Sequence, residues 1–390
     1  MQEKNLNRRI FLKTSALGAT GALFSNQISG HETANFIEKK SNDGKIVTRK
    51  LGKTGLELPV VSFGVMRADN PNLIKAAMSA GIKHFDTAHG YQNGNNEKML
   101  GEELKNYPRS SFTIATKVRA SEKNKFTEAL DISLERLKMD YVDILYLHGL
   151  SSRDQVLNES YIDALRTAKK LGKTKFIGFS THSHEPEVIE AAIESKAYDV
   201  ILTAYNFKQD HKDLLTKRIK EASKAGIGII GMKSMAGGKL GRDAGKMHFQ
   251  AALKWVLKNP HVHTIIPGIT NFNELEENMA VMNDLKLTKD EKTFLSFASV
   301  QQGLYCNGCQ ECTRSCPKGL PIPDMMRAYM YAYGYGEMHK AKQEILSLGI
   351  GNNPCSDCEE CTVKCVKGFN IPEKIADISR ITTVPDEFLA

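Results

Sequence analysis

The sequence predicts an α/β protein: a (β/α)8 barrel of the TIM type, followed by a small helical domain built around cysteines. Two observations predict it. Short apolar runs alternate with amphipathic stretches eight times between residues 45 and 285, the repeat of a barrel in which a helix follows every strand. All eight cysteines fall in the last quarter of the chain, in two sets of one spacing. A chain of 390 residues has room for one large and one small domain. The expected limits are 1–30 for a leader, 31–44 for a linker, 45–298 for the barrel and 299–390 for the cysteine domain and tail.

The leader reads MQEKNLNRRIFLKTSALGATGALFS. Arg8 and Arg9 precede Ile10, Phe11, Leu12 and Lys13, and an apolar run follows from Ala16 to Phe24. That run is too short and too rich in small residues to span a bilayer. It reads as a signal peptide of the twin-arginine type, with an ordinary basic tail as the competing reading. Export to the periplasm is expected, with the leader cleaved near residues 25–35 or kept as a membrane anchor. Such export carries folded proteins, which suits a chain that must acquire metal before it crosses.

The stretch KIVTRKLGKTGLELP reads as a hairpin ahead of the first strand. Its Gly52-Lys53-Thr54 resembles the end of a phosphate-binding loop, but Val47 stands where the earlier glycine is required, so that reading is set aside. Strand candidates follow at 60–65, 84–88, 112–118, 142–148, 175–180, 200–205, 228–233 and 263–268. Between them lie helical patterns such as NLIKAAMSAG, NEKMLGEELKNY, FTEALDISLERLKM, YIDALRTAKKLG and FQAALKWVLKN. An open doubly wound sheet would want G-x-G-x-x-G after its first strand, and none is there.

The cysteines are Cys306, Cys309, Cys312 and Cys316, then Cys355, Cys358, Cys361 and Cys365. Each set reads C-x2-C-x2-C-x3-C. Three thiolates at that spacing wrap one four-iron cube, and the fourth reaches a second cluster in two-cluster ferredoxins. Two [4Fe–4S] clusters with crossed ligation are therefore expected. A zinc site usually pairs two C-x2-C knuckles across a longer loop. A disulfide framework needs no repeated spacing. Residues 317–354 read as mostly helical, and the region resembles the alpha-helical ferredoxin module, with Val366 where that module usually has proline.

Polar residues mark the carboxyl ends of three successive strands, where barrel chemistry gathers. Asp86 ends the second strand and Tyr91 follows it; Lys117 lies near the end of the third and His148 ends the fourth. An ammonium beside a tyrosine is expected to lower its pKa, and a carboxylate can hold that ammonium in place. An imidazole N–H can orient a carbonyl oxygen and stabilise charge developing on it. The set suits hydride transfer to or from a carbonyl.

The segments FDTAHGYQNGNNEKMLGEEL, TIATKV, DILYLH, GFST and IPGITNFNELEEN resemble the aldo/keto reductase superfamily over residues 45–285. The whole chain resembles its exported branch with a C-terminal ferredoxin-like domain. The resemblance implies a tetrad of Asp86, Tyr91, Lys117 and His148, with Tyr91 as general acid or base, acting on a small carbonyl or alcohol substrate with NADP or NAD. It places Ser180 and Thr181 by the nicotinamide carboxamide, and Gly268, Thr270, Glu277 and Asn278 toward the adenosine. The chain departs from the family in three places. Lys233 replaces a tyrosine that stacks on the nicotinamide, and is expected at the phosphates. Leu202 replaces a glutamine. Gly268 and Asn273 occupy the region of the basic residues that grip a 2′-phosphate. The Gly237-Gly238 loop with Lys239 and Arg242 either replaces the lost phosphate contacts or is a solvated loop.

Two functional readings follow. One is a carbonyl oxidoreductase whose clusters are structural or serve a redox partner protein. The other is an exported iron–sulfur electron carrier whose barrel binds a ligand or partner. His89, His182 and His184 suggest a polar pocket at the barrel mouth. The net charge of +8 is scattered along the chain and gives no case for nucleic acid; membrane contact is expected only through the leader. The leader reading predicts that Arg8→Lys with Arg9→Lys traps the precursor in the cytoplasm. Fractionation that finds the double variant still exported would end it.

Overall fold

The computed structural model describes residues 46–120, 123–238, 248–301, 303–358 and 360–389. The leader, the linker, Lys239 and Arg242 lie outside the described residues. Eight parallel strands run in chain order: β1 (Phe63–Gly64), β2 (His84–Asp86), β3 (Thr113–Arg119), β4 (Val142–His148), β5 (Thr174–Thr181), β6 (Val200–Ala204), β7 (Gly228–Met232) and β8 (Thr264–Ile265). Each falls inside or overlaps a strand expected from the sequence. β1 and β8 are short because they meet through single bridges, Val61 to Ile265 and Gly64 to Gly268. The Ser62 and Gly64 N–H groups donate to the carbonyls of Ile265 and Pro267 at 2.8 and 3.0 Å. These bonds close the sheet, and closure leaves no long unpaired edge.

A helix follows each strand: α1 (Pro71–Ser79), α2 (Asn95–Leu104), α3 (Lys123–Leu137), α4 (Glu159–Lys170), α5 (Glu185–Ser195), α6 (Lys212–Lys224), α7 (Phe249–Leu257) and α8 (Phe272–Met279). Their apolar faces and the outward strand residues make the main core, with Leu73, Leu100, Leu134, Leu165, Ile189, Ile219 and Val256 among it. The barrel interior holds Ala115, Ile144, Tyr146, Val200, Leu202 and Ile230, with Leu51 and Leu58 of the hairpin (Thr48–Lys50 and Glu57–Pro59) among them. Burying a leucine fully contributes about 1.5–3 kcal/mol, so the hairpin is fastened by these two side chains. Leu202 is thus a core residue. The Gly52-Lys53-Thr54 turn also belongs to that packing. Gly52 has φ +52°, and a Cβ there would lie 2.5 Å from the Gly226 carbonyl oxygen.

α9 (Lys289–Val300) begins at Thr288 with a reciprocal cap to Glu291. It lays Leu295 and Ala298 against Ala251 and Ala252 of α7. Beyond it come α10 (Ile322–Met330), a π turn (Tyr331–Tyr335), α11 (Met338–Leu348) and α12 (Ile371–Ser379). They form a second core around Met325, Met326, Ile345, Ile375 and Ile378. The described residues nonetheless belong to one compact unit. The cysteine domain sits on the carboxyl face of the barrel. Arg67, after β1, donates to the Glu337 carboxylate at 2.6 Å and to the Tyr335 carbonyl at 3.1 Å. Lys208, after β6, donates to the Gln301 carbonyl at 2.5 Å. Asp210 in the same loop accepts from Asn307 at 2.6 Å and Lys367 at 2.8 Å. Gly334 of the π turn approaches Gly237 so closely that a Cβ would lie 2.5 Å from its carbonyl oxygen.

This approach predicts that Gly334→Val destabilises the joint by about 1–3 kcal/mol through overpacking. Thermal unfolding would read the loss, and limited proteolysis would show the cysteine domain loosening from the barrel. A melting temperature equal to that of the parent would contradict the contact.

Candidate active site

The loop after β2 is held by side-chain amides. Asn96 donates to the Val65 carbonyl at 2.7 Å and accepts from Thr87 at 2.6 Å. Gln92, itself in the left-handed region at φ 49°, donates to the carbonyls of Met66 and Ala68 at 3.2 and 3.1 Å. Tyr91 projects from this fixed loop. Asp86 and Lys117 are each 1% exposed and form an ion pair, and the ammonium also donates to the Thr87 carbonyl at 2.6 Å. The Lys117 nitrogen lies 5.0 Å from the Tyr91 ring centroid, and the His148 ring stands edge-on to Tyr91 at 5.9 Å and 84°. The structure thus brings together all four residues marked from the strand ends. The Tyr91 hydroxyl makes no hydrogen bond among the described residues.

The electrostatics differ from the sequence expectation at Tyr91. Its pKa is raised, first by burial and then by the Asp86 and Glu344 carboxylates. The ammonium that was expected to lower it is engaged by Asp86. Burial pulls that pair toward neutrality, raising the carboxyl and lowering the amine against their mutual attraction. His148 is held well below its usual value by burial and by Lys117, Arg119, Lys340 and Arg327. Its imidazole is therefore neutral at pH 7, with one N–H to donate.

These groups line a cavity of about 800 Å³, within the range of small-molecule sites. Its roof comes from the cysteine domain. Arg327, Tyr331, Lys340 and Glu344 all line it. Lys340 pairs with Glu344 at 2.6 Å, and its nitrogen lies 6.0 Å from the Tyr91 centroid. The sequence reading missed these four. Their one signal was spacing, because Arg327 and Tyr331, like Lys340 and Glu344, stand four apart in a helical pattern and share a face.

The residues expected at a cofactor divide. Ser180, Lys233, Gly268, Glu277 and Asn278 line the cavity. Ser180 accepts from the Gly149 N–H at 2.9 Å. Lys233 donates to the Tyr331 hydroxyl at 3.3 Å, and burial together with Arg327 and Lys340 pushes it down to about 7. The Asn278 side-chain nitrogen is buried without a hydrogen-bond partner among the described residues. That orphaned donor fits a ligand that brings an acceptor. Thr181 is fully buried and donates to the Ser183 carbonyl, while the Thr270 hydroxyl and N–H turn back to Glu274; neither lines the cavity. His89 and His182 line it, whereas His184 contacts the Ser151 carbonyl at 3.0 Å and does not.

The cysteines gather across the two sequence sets. Cys306, Cys309, Cys312 and Cys365 ring one small cavity with Pro323, Met326 and Ile371. The N–H groups of Gly308 and Lys367 donate to the Cys306 and Cys365 sulfurs at 3.4 Å each. Cys355 is raised first by burial and then by Cys358, Cys361 and Cys316, which marks the second group of four. Among the described residues no three such side chains close on a single-ion site. The wider ring, its apolar wall and the N–H donors to sulfur fit a cluster.

A barrel with this mouth, joined to a cysteine domain of this kind, is an oxidoreductase framework. The chain belongs to the aldo/keto reductase family, whose model matches residues 63–248 and 238–295, and residues 305–370 match a 4Fe-4S dicluster domain. L-galactose dehydrogenase of Arabidopsis thaliana is 31% identical over 296 residues, 64% of this chain and 92% of its own length. Methylglyoxal reductase DkgB of Salmonella typhi is 29% identical over 258 residues, 62% of this chain and 93% of its own. The aldo-keto reductase AKR11C1 from Bacillus halodurans in its holo form shares the fold, with a TM-score of 0.57 at 23% identity over 65% of this chain and 97% of its own.

The crossed grouping makes a specific prediction. Cys306→Ser with Cys365→Ser should impair one iron centre, leaving about half the iron and one spectroscopic signal. Cys306→Ser with Cys316→Ser should impair both. Equal loss in the two double variants would contradict the grouping.

Proposed function

We propose that this chain is an NAD(P)-dependent oxidoreductase that interconverts a small carbonyl compound and its alcohol. Tyr91 acts as general acid in reduction and general base in oxidation. The observation that carries the reading is the convergence of Asp86, Tyr91, Lys117 and His148 on one cavity wall, with the tyrosine hydroxyl unengaged. A nicotinamide, when bound, supplies or accepts the hydride. Ser180, Lys233, Gly268, Glu277 and Asn278 are the residues that would hold it, and the unpartnered Asn278 amide is the strongest of these.

In reduction the neutral His148 donates a hydrogen bond to the carbonyl oxygen and fixes its position beside Tyr91. The tyrosine, protonated at rest, gives its proton to that oxygen. Lys117 cannot move, because Asp86 and the Thr87 carbonyl hold it. Its charge is in place as negative charge develops on the phenolate, so no reorganisation is needed. The raised Tyr91 pKa suits the proton-donating direction.

Two [4Fe–4S] clusters complete the proposal, one on Cys306, Cys309, Cys312 and Cys365, the other on Cys316, Cys355, Cys358 and Cys361. The first would lie against the roof, since Cys306 lines a small cavity with His182, Lys233 and Arg327. Bound there, a cluster would supply one-electron chemistry. Export by the twin-arginine route, with the clusters loaded first, is part of the same proposal.

Protein purified anaerobically is to be screened with aldehydes, ketones and sugars against NADH and NADPH. Tyr91→Phe should lower turnover about 10²–10⁴-fold at unchanged iron content, and Lys117→Met should be comparably severe. A substrate turned over equally by Tyr91→Phe would sink the assignment. Because Tyr91 titrates above its ordinary value, reduction should not decline between pH 7 and 9 through loss of its proton. Glu344→Gln removes one carboxylate that raises it, so the alkaline decline should move to lower pH. A shift upward would contradict the electrostatic account.

A further inference from the structure

Most of the cations that line the cavity are paired. Lys117 is taken by Asp86. On the roof, Arg327 pairs with Asp324 at 2.5 Å and Lys340 with Glu344 at 2.6 Å. The Glu344 carboxylate is nonetheless shared, because Lys340, Arg327 and Arg119 all act on it. Arg119 and Lys233 line the same cavity and have no carboxylate within ion-pair distance among the described residues. Glu274, which accepts from the Thr270 hydroxyl, and Glu277 of α8 also line it and form no ion pair among the described residues. Arg327 is partly buried, with a side chain 15% exposed. Asp324 takes one of its terminal nitrogens, and the guanidinium has further donors in a planar fork. Its charge acts on both His148 and His182, so it stands over the catalytic wall. The remaining Arg327 donors, and Arg119 in the same cavity, have no carboxylate partner among the described residues and can take an anion that enters it.

We propose that the cysteine domain sets the substrate selectivity of the carbonyl site, with Arg327 on the roof, assisted by Arg119 of the barrel, binding a carboxylate on the substrate. The substrate class is then a small carbonyl or hydroxy compound that carries a carboxylate, such as a keto acid or a sugar acid. The proposal rests on the carbonyl reading of the Tyr91 site. It explains why the roof brings an arginine into a cavity whose catalytic wall already has its cation. A guanidinium suits this work because its fork matches both carboxylate oxygens.

The test is binding, which needs no turnover. The cluster-loaded protein is titrated calorimetrically with pairs that differ only in charge: glyoxylate and glyoxylamide, pyruvate and pyruvamide, D-glucuronate and D-glucuronamide. A charge-assisted contact predicts that the acid of at least one pair binds about tenfold or more tightly than its amide. Arg327→Gln should erase that preference while the amide binds as before. Lys340→Gln, which removes a point charge and no bidentate fork, should weaken it less. Iron content and the melting curve confirm that each variant is folded. No preference in any pair, or a preference that survives Arg327→Gln, overturns the proposal. So does loss of ADP-ribose binding in Arg327→Gln with carboxylate binding intact, because the arginine would then serve a pyrophosphate. Tyr91→Phe separates the two claims: it should bind the acids normally and fail only in turnover, and if it turns over normally the catalytic reading fails while the binding result stands.

Discussion

Lys117 is 1% exposed, and an ammonium sealed at that depth costs several kcal/mol unless it is paired and hydrogen-bonded. Asp86 and the Thr87 carbonyl meet that demand, and meeting it fixes the ends of β2 and β3 against each other. The loop that follows β2 is then short of freedom, and the Asn96 and Gln92 amides remove what is left. Tyr91 therefore faces the cavity by construction. Removing either member of the pair would strand a buried charge, so the Asp86–Lys117 pair is also a stability element.

The second determinant is the cysteine domain. In the barrel alone the carboxyl face would be an open bowl. Here a π turn and two helices cover it, and they bring their own charges. Single π turns are uncommon inside helices and often stand at functional sites; this one places Tyr331 on Lys233 and Gly334 on Gly237. The roof changes the electrostatics below it. Glu344 contributes to the raised pKa of Tyr91, while Lys340 and Arg327 help keep His148 neutral. The chemistry of the barrel and the integrity of the iron-binding half are coupled through these contacts. Asp210 strengthens that coupling, since it holds Asn307 beside Cys306 and Lys367 two residues past Cys365.

Most of the fold was legible because its signals are local. Eight apolar runs with amphipathic intervals give a barrel, and the strand-end residues Asp86, Tyr91, Lys117 and His148 stood out because polar groups at strand ends break the apolar pattern. The cysteine spacing even implied that the groups of four would cross between the two sets. What the sequence hid is long-range. Arg327 and Lys340 look like solvated helix residues until the domain is docked on the barrel. The sign of the Tyr91 shift was missed for a related reason. A lysine nearby suggests a lowered pKa, but the carboxylate that neutralises it and the burial of the ring both act the other way. Thr181 and Thr270 were expected at the cofactor, yet their hydroxyls are spent on local turns and neither lines the cavity; sequence carries no mark of that.

The claim at the centre of this account is that Tyr91 rests protonated in a cavity roofed by the cysteine domain. Its ionisation can be followed directly by 13C NMR on protein labelled at tyrosine Cζ, with Tyr91→Phe identifying the resonance. The account predicts that the Tyr91 signal keeps its protonated shift through pH 10, where an ordinary tyrosine is half ionised. Ionisation with a midpoint below 9 would show that the lysine, rather than burial and the carboxylates, governs the site.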